Sequence, residues 1–270
     1  RRSSDLEACR RAANGAEFMQ RIQRETGLKL DIIKPEEEAQ LAVISCAPLV
    51  NRKTHNLLVV DIGGGSTELV WIDISKVPKA DRAQSIMRLH GGFHQAKTDV
   101  PAARVVDWIS VPLGVATLRD QFSDVEDDAA RFALMSWFFE ENLTDFTPYQ
   151  SIQSQDHFQI VGTSGTVTTV AASHLGLKRY DRTKVDGLRM TSAQIDKVIH
   201  SYLAMGPGGR RADPRIGLDR QALIMSGAAI LQALMRCWPT DRLSVADRGL
   251  REGLLYAQMS ADGVLEEGLG

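Results

Sequence analysis

Apolar positions along the chain predict alternating helices and strands. In residues 5–26 they recur on one helical face, and Gly27 is placed to end that helix. Pro35 followed by three glutamates predicts a second helix start, because proline suits a first turn and acids there complement the helix dipole. Further strands are predicted at 28–33, 57–61, 68–74, 104–111, 158–161 and 243–246, helices at 124–142, from about 166 to 174, 191–203, 221–235 and 249–259, and a Gly-, Pro- and Arg-rich loop at 206–217. This alternation indicates an α/β fold.

Composition describes a globular protein of 270 residues, with 43% hydrophobic and 24% charged residues. No apolar run approaches the roughly 20 residues of a membrane span, and no signal peptide is recognisable, so no membrane partner is expected. The three scattered cysteines have no metal-ligand spacing and are typical of reduced thiols in a cytoplasmic protein. A net charge of −2 gives no basic field for nucleic acid, so an anionic substrate must be bound by local groups.

The segment Asp61–Glu68 (Asp-Ile-Gly-Gly-Gly-Ser-Thr-Glu) joins two predicted strands. Three glycines, Gly63, Gly64 and Gly65, let backbone N–H groups surround an anion, and Ser66 and Thr67 add hydroxyl donors. The flanking carboxylates of Asp61 and Glu68 are of the type that holds Mg²⁺. A tight hairpin is the simpler alternative, but it needs neither the third glycine nor the flanking acids. The sequence therefore predicts a phosphate-handling loop.

A second candidate loop, Gly162–Thr166, ends a predicted strand and opens a helix. The N–H groups at such a helix start favour an anion, although Thr163 or Ser164 could instead cap the helix. A third candidate is Glu36–Glu38, where one carboxylate could orient or deprotonate water, or all three could be a solvated helix start. Two basic loops, 178–184 and the one holding Arg210, Arg211 and Arg215, could bind a polyanion or be solvated.

Together these segments resemble the Ppx/GppA phosphatase family of exopolyphosphatases and guanosine pentaphosphate phosphohydrolases. The resemblance covers nearly the whole chain, and its motifs occur in family order. They are Arg10–Gly15 with Glu17-Phe18, Glu37-Glu38-Ala39, Val60–Leu69, Val111–Gly114, Val161–Thr166, Tyr180-Asp181, Val185–Leu188, Gly227–Ile230 and Ser244–Gly253.

The resemblance implies an α/β actin/Hsp70/sugar-kinase-like fold with two ribonuclease H-like lobes, and hydrolysis of terminal phosphate from polyphosphate or of the 5′ γ-phosphate of pppGpp with Mg²⁺. By position, Glu38 is expected to activate water, and Asp61 and Glu68 to be catalytic acids that hold the metal. The expected phosphate binders are Arg10, Gly63, Gly64, Gly65, Ser66, Thr67, Gly162, Thr163, Ser164, Gly165 and Thr166.

The chain also departs from the family pattern. The family's first phosphate loop (Asp-x-Gly-Ser-Asn-Ser) and the first strands of its lobe have no counterpart, and Lys34-Pro35 and Gln40 replace the usual residues around Glu38. Residues 1–41 are therefore interpreted as the C-terminal remnant of an incomplete first lobe, 42–262 as the second lobe with a terminal helix, and 263–270 as a tail. A chain of this extent is expected to be weakly active or inactive.

Two alternative functions stay open at this point. One is an ATP-using kinase or ATPase of the same fold, and the other is a non-catalytic sensor of polyphosphate or guanosine polyphosphates. The three carboxylates argue against a pure anion binder, because negative charge does not help to bind an anion. The resemblance also implies a possible homodimer.

Overall fold

The computed structural model describes residues 6–30, 32–93, 101–150, 157–217 and 220–264. The start of the first predicted helix and most of the predicted tail lie outside these ranges. The described strands are β1 (Asn56–Ile62), β2 (Thr67–Asp73), β3 (Arg104–Val111), β4 (Phe158–Thr163), β5 (Arg189–Met190) and β6 (Leu243–Ala246). The described α-helices are α1 (Leu6–Arg11), α2 (Gly15–Thr26), α3 (Pro35–Cys46), α4 (Arg82–Met87), α5 (Val115–Gln121), α6 (Asp128–Glu141), α7 (Gly165–His174), α8 (Arg182–Val185), α9 (Ser192–Ala212), α10 (Ile224–Cys237) and α11 (Leu250–Ala261).

The strands form one mixed sheet in the order β3-β2-β1-β4-β6-β5. β1 and β2 are an antiparallel hairpin, whereas β1, β4 and β6 run parallel to one another. In this register Asp61 lies beside Glu68 on one side and Thr163 on the other, and Thr163 lies beside Ala246. The carboxyl ends of the parallel strands therefore meet at one edge of the sheet, which is where open α/β sheets bind ligands.

Helices cover both faces of the sheet, so the central strand is buried on both sides. Leu57, Leu58, Val59 and Val60 are each at most 1% exposed, as expected for a strand packed on both faces. One face contributes Leu58 and Val60 to a core with α6, α7, α9 and α10. The other contributes Leu57 and Val59 to a core with α3, α4 and α11.

Most predicted elements are present, and the differences have local causes. Residues 104–111 and 243–246 are strands as predicted, whereas the described residues of 28–33 form no strand. The predicted helix 5–26 is broken before Gly15, where a larger side chain would overlap the Cys9 carbonyl. The predicted loop at 206–217 begins as a continuation of α9 with a kink, because Gly206 has φ 62° and Pro207 follows it.

Candidate functional site

The loop between β1 and β2 is a tight four-residue connection, Gly63–Ser66. The Gly63 N–H donates to the Ser66 carbonyl at 2.9 Å, and the Ile62–Thr67 pair closes the hairpin. Thr67, predicted to bind phosphate, donates its hydroxyl to the Leu113 carbonyl at 2.8 Å. Its hydroxyl proton is therefore committed to the protein.

The carbonyl oxygens of the loop point towards the start of α5. They accept hydrogen bonds from protein donors there, so they do not face an incoming anion. The donors are Val115 N to Gly63 O at 2.9 Å, Ala116 N to Gly64 O at 2.9 Å and Thr117 Oγ1 to Gly65 O at 3.3 Å.

The N–H groups of Gly64, Gly65 and Ser66 have no hydrogen-bond acceptor among the described residues. Successive backbone N–H groups in a turn are the donors from which concave anion-binding nests are built. Gly114, from the Val111–Gly114 motif, allows this arrangement because a Cβ there would meet the Gly63 carbonyl oxygen at 2.5 Å. The loop therefore has its glycine carbonyls satisfied by α5 and, among the described residues, three N–H groups left for another acceptor.

Two carboxylates flank the loop at the carboxyl edge of the sheet. Burial, with the charges of Glu68 and Glu38, raises the pKa of Asp61 to about 8. Burial also raises the pKa of Glu68 to about 7, although hydrogen bonds from Ser66 and Ser110 oppose that shift. The Ser110 hydroxyl donates to Glu68 at 2.7 Å, a contact that no motif in the sequence indicates. The structure thus brings the three predicted acids within electrostatic range of one another.

Glu38 lies in the first turn of α3 and forms an ion pair with Arg10. Arg10 Nη2 is 2.9 Å from Glu38 Oε2, and Arg10 Nη1 donates to the Ile33 carbonyl at 2.9 Å. The two charged side chains are 17% and 12% exposed. Among the described contacts Arg10 holds the Glu38 carboxylate, and its predicted role in binding phosphate stays a prediction.

The second predicted loop has mixed roles. Gly162 is inside β4, and the Thr163 hydroxyl donates to the Arg248 carbonyl. The Ser164 hydroxyl caps α7 by accepting from Thr166 N and Val167 N at 3.1 Å each, as the capping alternative predicted. The hydroxyls of Thr163 and Ser164 are therefore engaged.

Gly165 and Thr166 lie against other elements. Thr166 packs against Gly227, where any larger side chain would overlap its hydroxyl. The Gly165 N–H has no acceptor among the described residues, and the guanidinium of Arg220 lies directly over Gly165. Arg220 makes no hydrogen bond or ion pair with the described residues. Nothing in the sequence relates Arg220 to Gly165, which lies 55 residues earlier.

Two cavities meet at Arg220. The first, about 220 Å³, lies between the two loops and is lined by Gly63, Gly64, Gly165 and Thr166. The second, about 410 Å³, runs from Asp61 and Gly165 to the β6–α11 segment. Both cavities open on the carboxyl edge of the sheet, so the two predicted loops border one connected region.

Two of the four arginines that line the larger cavity, Arg182 and Arg248, form ion pairs with neighbours. Arg248 forms an ion pair with Asp186 at 2.8 Å, and Arg182 lies 3.4 Å from Glu252. Of the two predicted basic loops, 178–184 therefore contributes Arg182 to the cavity wall. In the other loop Arg215 is held by Asp213.

A metal site of three or more clustered His, Cys, Asp or Glu side chains is absent from the described part of the chain. The pair Asp61 and Glu68 is still compatible with Mg²⁺, which keeps several waters and binds through one or two carboxylates. Burial, and after it the nearby negative charges, raises the pKa values of both carboxyl groups, and a bound cation would favour their ionised forms. Across the described ranges, no helix is both long and apolar enough to cross a membrane.

Comparison with known proteins adds the family context. The model of the Ppx/GppA phosphatase family matches residues 7–262. Exopolyphosphatase 1 of Mycobacterium leprae is 23% identical over 262 residues, covering 94% of this chain and 67% of that protein. Guanosine-5'-triphosphate,3'-diphosphate pyrophosphatase of Aeromonas salmonicida is 26% identical over 252 residues, covering 92% of this chain. The chain spans 42% of the length of that second relative.

Solved structures identify the fold. The Aquifex aeolicus member of the Ppx/GppA family is 28% identical and superposes with a TM-score of 0.69, covering 95% of this chain and 73% of that one. An exopolyphosphatase from Cytophaga hutchinsonii, 20% identical with a TM-score of 0.73, shows the same fold. Proteins of this kind have the actin-like fold, so the predicted fold class is confirmed. The division into residues 1–41, 42–262 and 263–270 stays a prediction.

Proposed function

Because the chain belongs to the Ppx/GppA phosphatase family, we propose that the protein hydrolyses terminal phosphoanhydride bonds of polyphosphate or the 5′ γ-phosphate of pppGpp with Mg²⁺. The observation that carries this proposal is the Gly63–Ser66 loop, in which α5 binds the carbonyls of the three glycines and the N–H groups of Gly64, Gly65 and Ser66 have no acceptor among the described residues. Polyphosphate or guanosine polyphosphate is then the small-molecule partner. Cytoplasmic location and a homodimer stay predictions from the sequence.

The terminal phosphate would lie in the cavity between the loops. The N–H group of Gly64, which lines this cavity, and those of the adjoining Gly65 and Ser66 would donate to its oxygens from one side, and the N–H of Gly165 and the guanidinium of Arg220 from the other. These donors are fixed before substrate arrives, so they stabilise developing negative charge without reorganisation. The roles of Gly162, Thr163, Ser164, Thr166 and Thr67 in this proposal are structural.

Asp61 and Glu68 would hold Mg²⁺. Held by these two residues, Mg²⁺ would supply positive charge that offsets the negative charge of the phosphate oxygens and of the two carboxylates. The Ser66 and Ser110 hydroxyls hydrogen-bond Glu68 and so fix the direction of its carboxylate. This support matters because a buried ligand must be oriented as well as deprotonated.

Glu38 would position the attacking water and accept its proton. It is near enough to Asp61 and Glu68 for its charge to raise their pKa values. The ion pair with Arg10 fixes the direction of the Glu38 carboxylate. Arg10 is therefore a positioning residue in this mechanism.

The test is phosphate release by the full-length protein from polyphosphate, pppGpp and ATP in parallel, with and without Mg²⁺. We expect release from polyphosphate or pppGpp with Mg²⁺, and a fall in kcat of about 10²- to 10⁴-fold in Glu38→Gln, as for loss of a general base. Glu36→Gln, a charge-matched change in the same turn, should retain activity. Equal rates in the two variants would remove Glu38 from the mechanism, and release from ATP alone would refute the proposed substrates.

A further inference from the structure

A separate cavity of about 350 Å³ lies on the other side of α5, between α6, the end of α9 and the start of α10. Its lining includes four arginines, Arg119, Arg131, Arg210 and Arg211, and a single carboxylate, that of Asp128. We call it the arginine cavity. None of its residues belongs to the two glycine loops or to the acids of the candidate site.

Arg210 neutralises the one carboxylate in the arginine cavity. Its Nη2 and Nη1 atoms donate to the two oxygens of Asp128 at 2.7 and 2.9 Å, and Nη1 also donates to the Tyr202 carbonyl at 2.7 Å. The Arg210 side chain is 5% exposed. This buried pair forms the neutral, rigid floor of the cavity.

The other arginines leave cationic groups open to the arginine cavity. Arg131 donates only its Nε to a protein acceptor, the Val125 carbonyl, so both terminal nitrogens stay available among the described contacts. The Arg211 guanidinium makes no hydrogen bond or ion pair with the described residues. Arg119 is paired with the exposed Asp120, so its charge is largely balanced. About two positive charges therefore line the cavity without an acid to balance them.

We propose that the arginine cavity is a second anion site that binds a phosphate chain, at a distance from the bond being cleaved. Forked guanidinium groups bind phosphate oxygens in pairs, and this is the ligand chemistry that two open arginines favour. The identity of the anion as polyphosphate rests on the proposed function. The argument that the cavity binds an anion of some kind rests only on its unbalanced arginines and is independent of the proposed function.

The position of the arginine cavity fits an extended ligand. Val115 lines the cavity between the loops, and Arg119, one turn later on α5, lines the arginine cavity. One helical turn is about 5.4 Å, so the two cavities are neighbours along this helix. Leu223 and Ile224 line one cavity, and Ala222 and Met225 line the other, so they are adjacent on α10 as well. A chain that extends from one cavity into the other contacts the donors of both, whereas a chain held within the cavity between the loops does not reach the open arginines.

The test compares long-chain polyphosphate with tripolyphosphate as ligands of the full-length protein, by calorimetry at fixed salt and Mg²⁺. In Arg131→Gln/Arg211→Gln we expect the affinity for long-chain polyphosphate to fall at least about tenfold, since charge-assisted hydrogen bonds are lost. The affinity for tripolyphosphate should change less than about twofold. A control, Arg24→Gln/Arg52→Gln, removes two exposed arginines elsewhere and should leave both affinities near those of the wild type.

Arg211→Gln alone is the safeguard against misfolding, because this side chain is exposed. It should show a smaller loss for the long chain only. Equal losses for both ligands, behaviour like the control, or no binding of long-chain polyphosphate would overturn the proposal. Weakened long-chain binding in a protein that hydrolyses no phosphoanhydride would refute the proposed function and leave this site standing.

Discussion

Replacing Gly114 with alanine tests whether the glycine loop depends on direct contact with the start of α5. Gly114 has φ −110° and ψ −175°, an extended conformation that alanine adopts freely. A Cβ at this position would lie 2.5 Å from the carbonyl oxygens of Gly63 and Gly64. The substitution therefore acts through steric overlap and not through backbone strain.

The magnitude follows from the contacts that must move. Separating the Cβ from the two oxygens overpacks the interface, which costs about 1–3 kcal/mol. The displacement also weakens the hydrogen bonds from Val115 N and Ala116 N, each worth about 1 kcal/mol net. We expect Gly114→Ala to lower the free energy of unfolding by about 2–4 kcal/mol.

Urea denaturation gives this loss directly, and thermal unfolding should show a fall in Tm of about 5–15 °C for a chain of this size. Phosphate release should fall as well, because the N–H groups of the loop move with its carbonyls. Gly208→Ala is the matched control. Its Cβ meets nothing within 4 Å, and it lies in helix α9, so it should be neutral or stabilising by up to about 1 kcal/mol.

Unchanged stability of Gly114→Ala would refute the steric reasoning, since it would mean that α5 and the loop are not in contact. Lower stability with full activity would show instead that phosphate binding does not depend on the geometry of the loop. Both outcomes are read against Gly208→Ala in the same buffer.

Two further predictions concern buried polar groups away from the loop. Asp186 is partly desolvated, but hydrogen bonds from Arg248 and a backbone N–H hold its pKa below the usual value. Its stabilisation is therefore present above the unfolded-state pKa of about 4 and lost as pH falls through the lower folded-state pKa. Asp186→Asn should cost about 1–3 kcal/mol in urea denaturation at pH 7, with the difference from wild type shrinking below about pH 4; a difference constant with pH would contradict this. Burial raises the pKa of Cys46 to about 12, so maleimide at pH 8 should label the partly exposed Cys9 and Cys237 first and Cys46 only on unfolding. Equal labelling rates in the native protein would show that Cys46 is accessible.

Helices whose start or end is marked by residues of the same segment were predicted well from the sequence. Pro35 and its acids mark the start of α3, and the left-handed Gly27, with φ 70°, ends α2 as predicted. The missed helix α5 has little sequence signal of its own. Its first N–H groups are instead satisfied by the glycine loop, which is about 50 residues away in sequence.

For the candidate site too, some features were predictable from the sequence and others depend on the folded structure. The sequence identified Asp61, Glu68 and Glu38 as acids of one site, and the structure places them within electrostatic range of one another. It could not show that the Thr67 and Thr163 hydroxyls are used by backbone carbonyls, or that Arg10 binds Glu38. Those outcomes depend on which acceptor lies nearest after folding, and residue type does not reveal this.

The sequence by itself therefore determined the family, the fold class and the chemical types of the loop between Asp61 and Glu68. The tertiary structure alone decided the direction in which that loop presents its groups. Its glycines can turn either N–H or carbonyl groups outward, because they lack a side chain to fix the choice. The start of α5 fixes it by binding the carbonyls, with Gly114 giving the space for that contact. Likewise, Arg220 reaches Gly165 through packing of distant segments, a contact that no local pattern records.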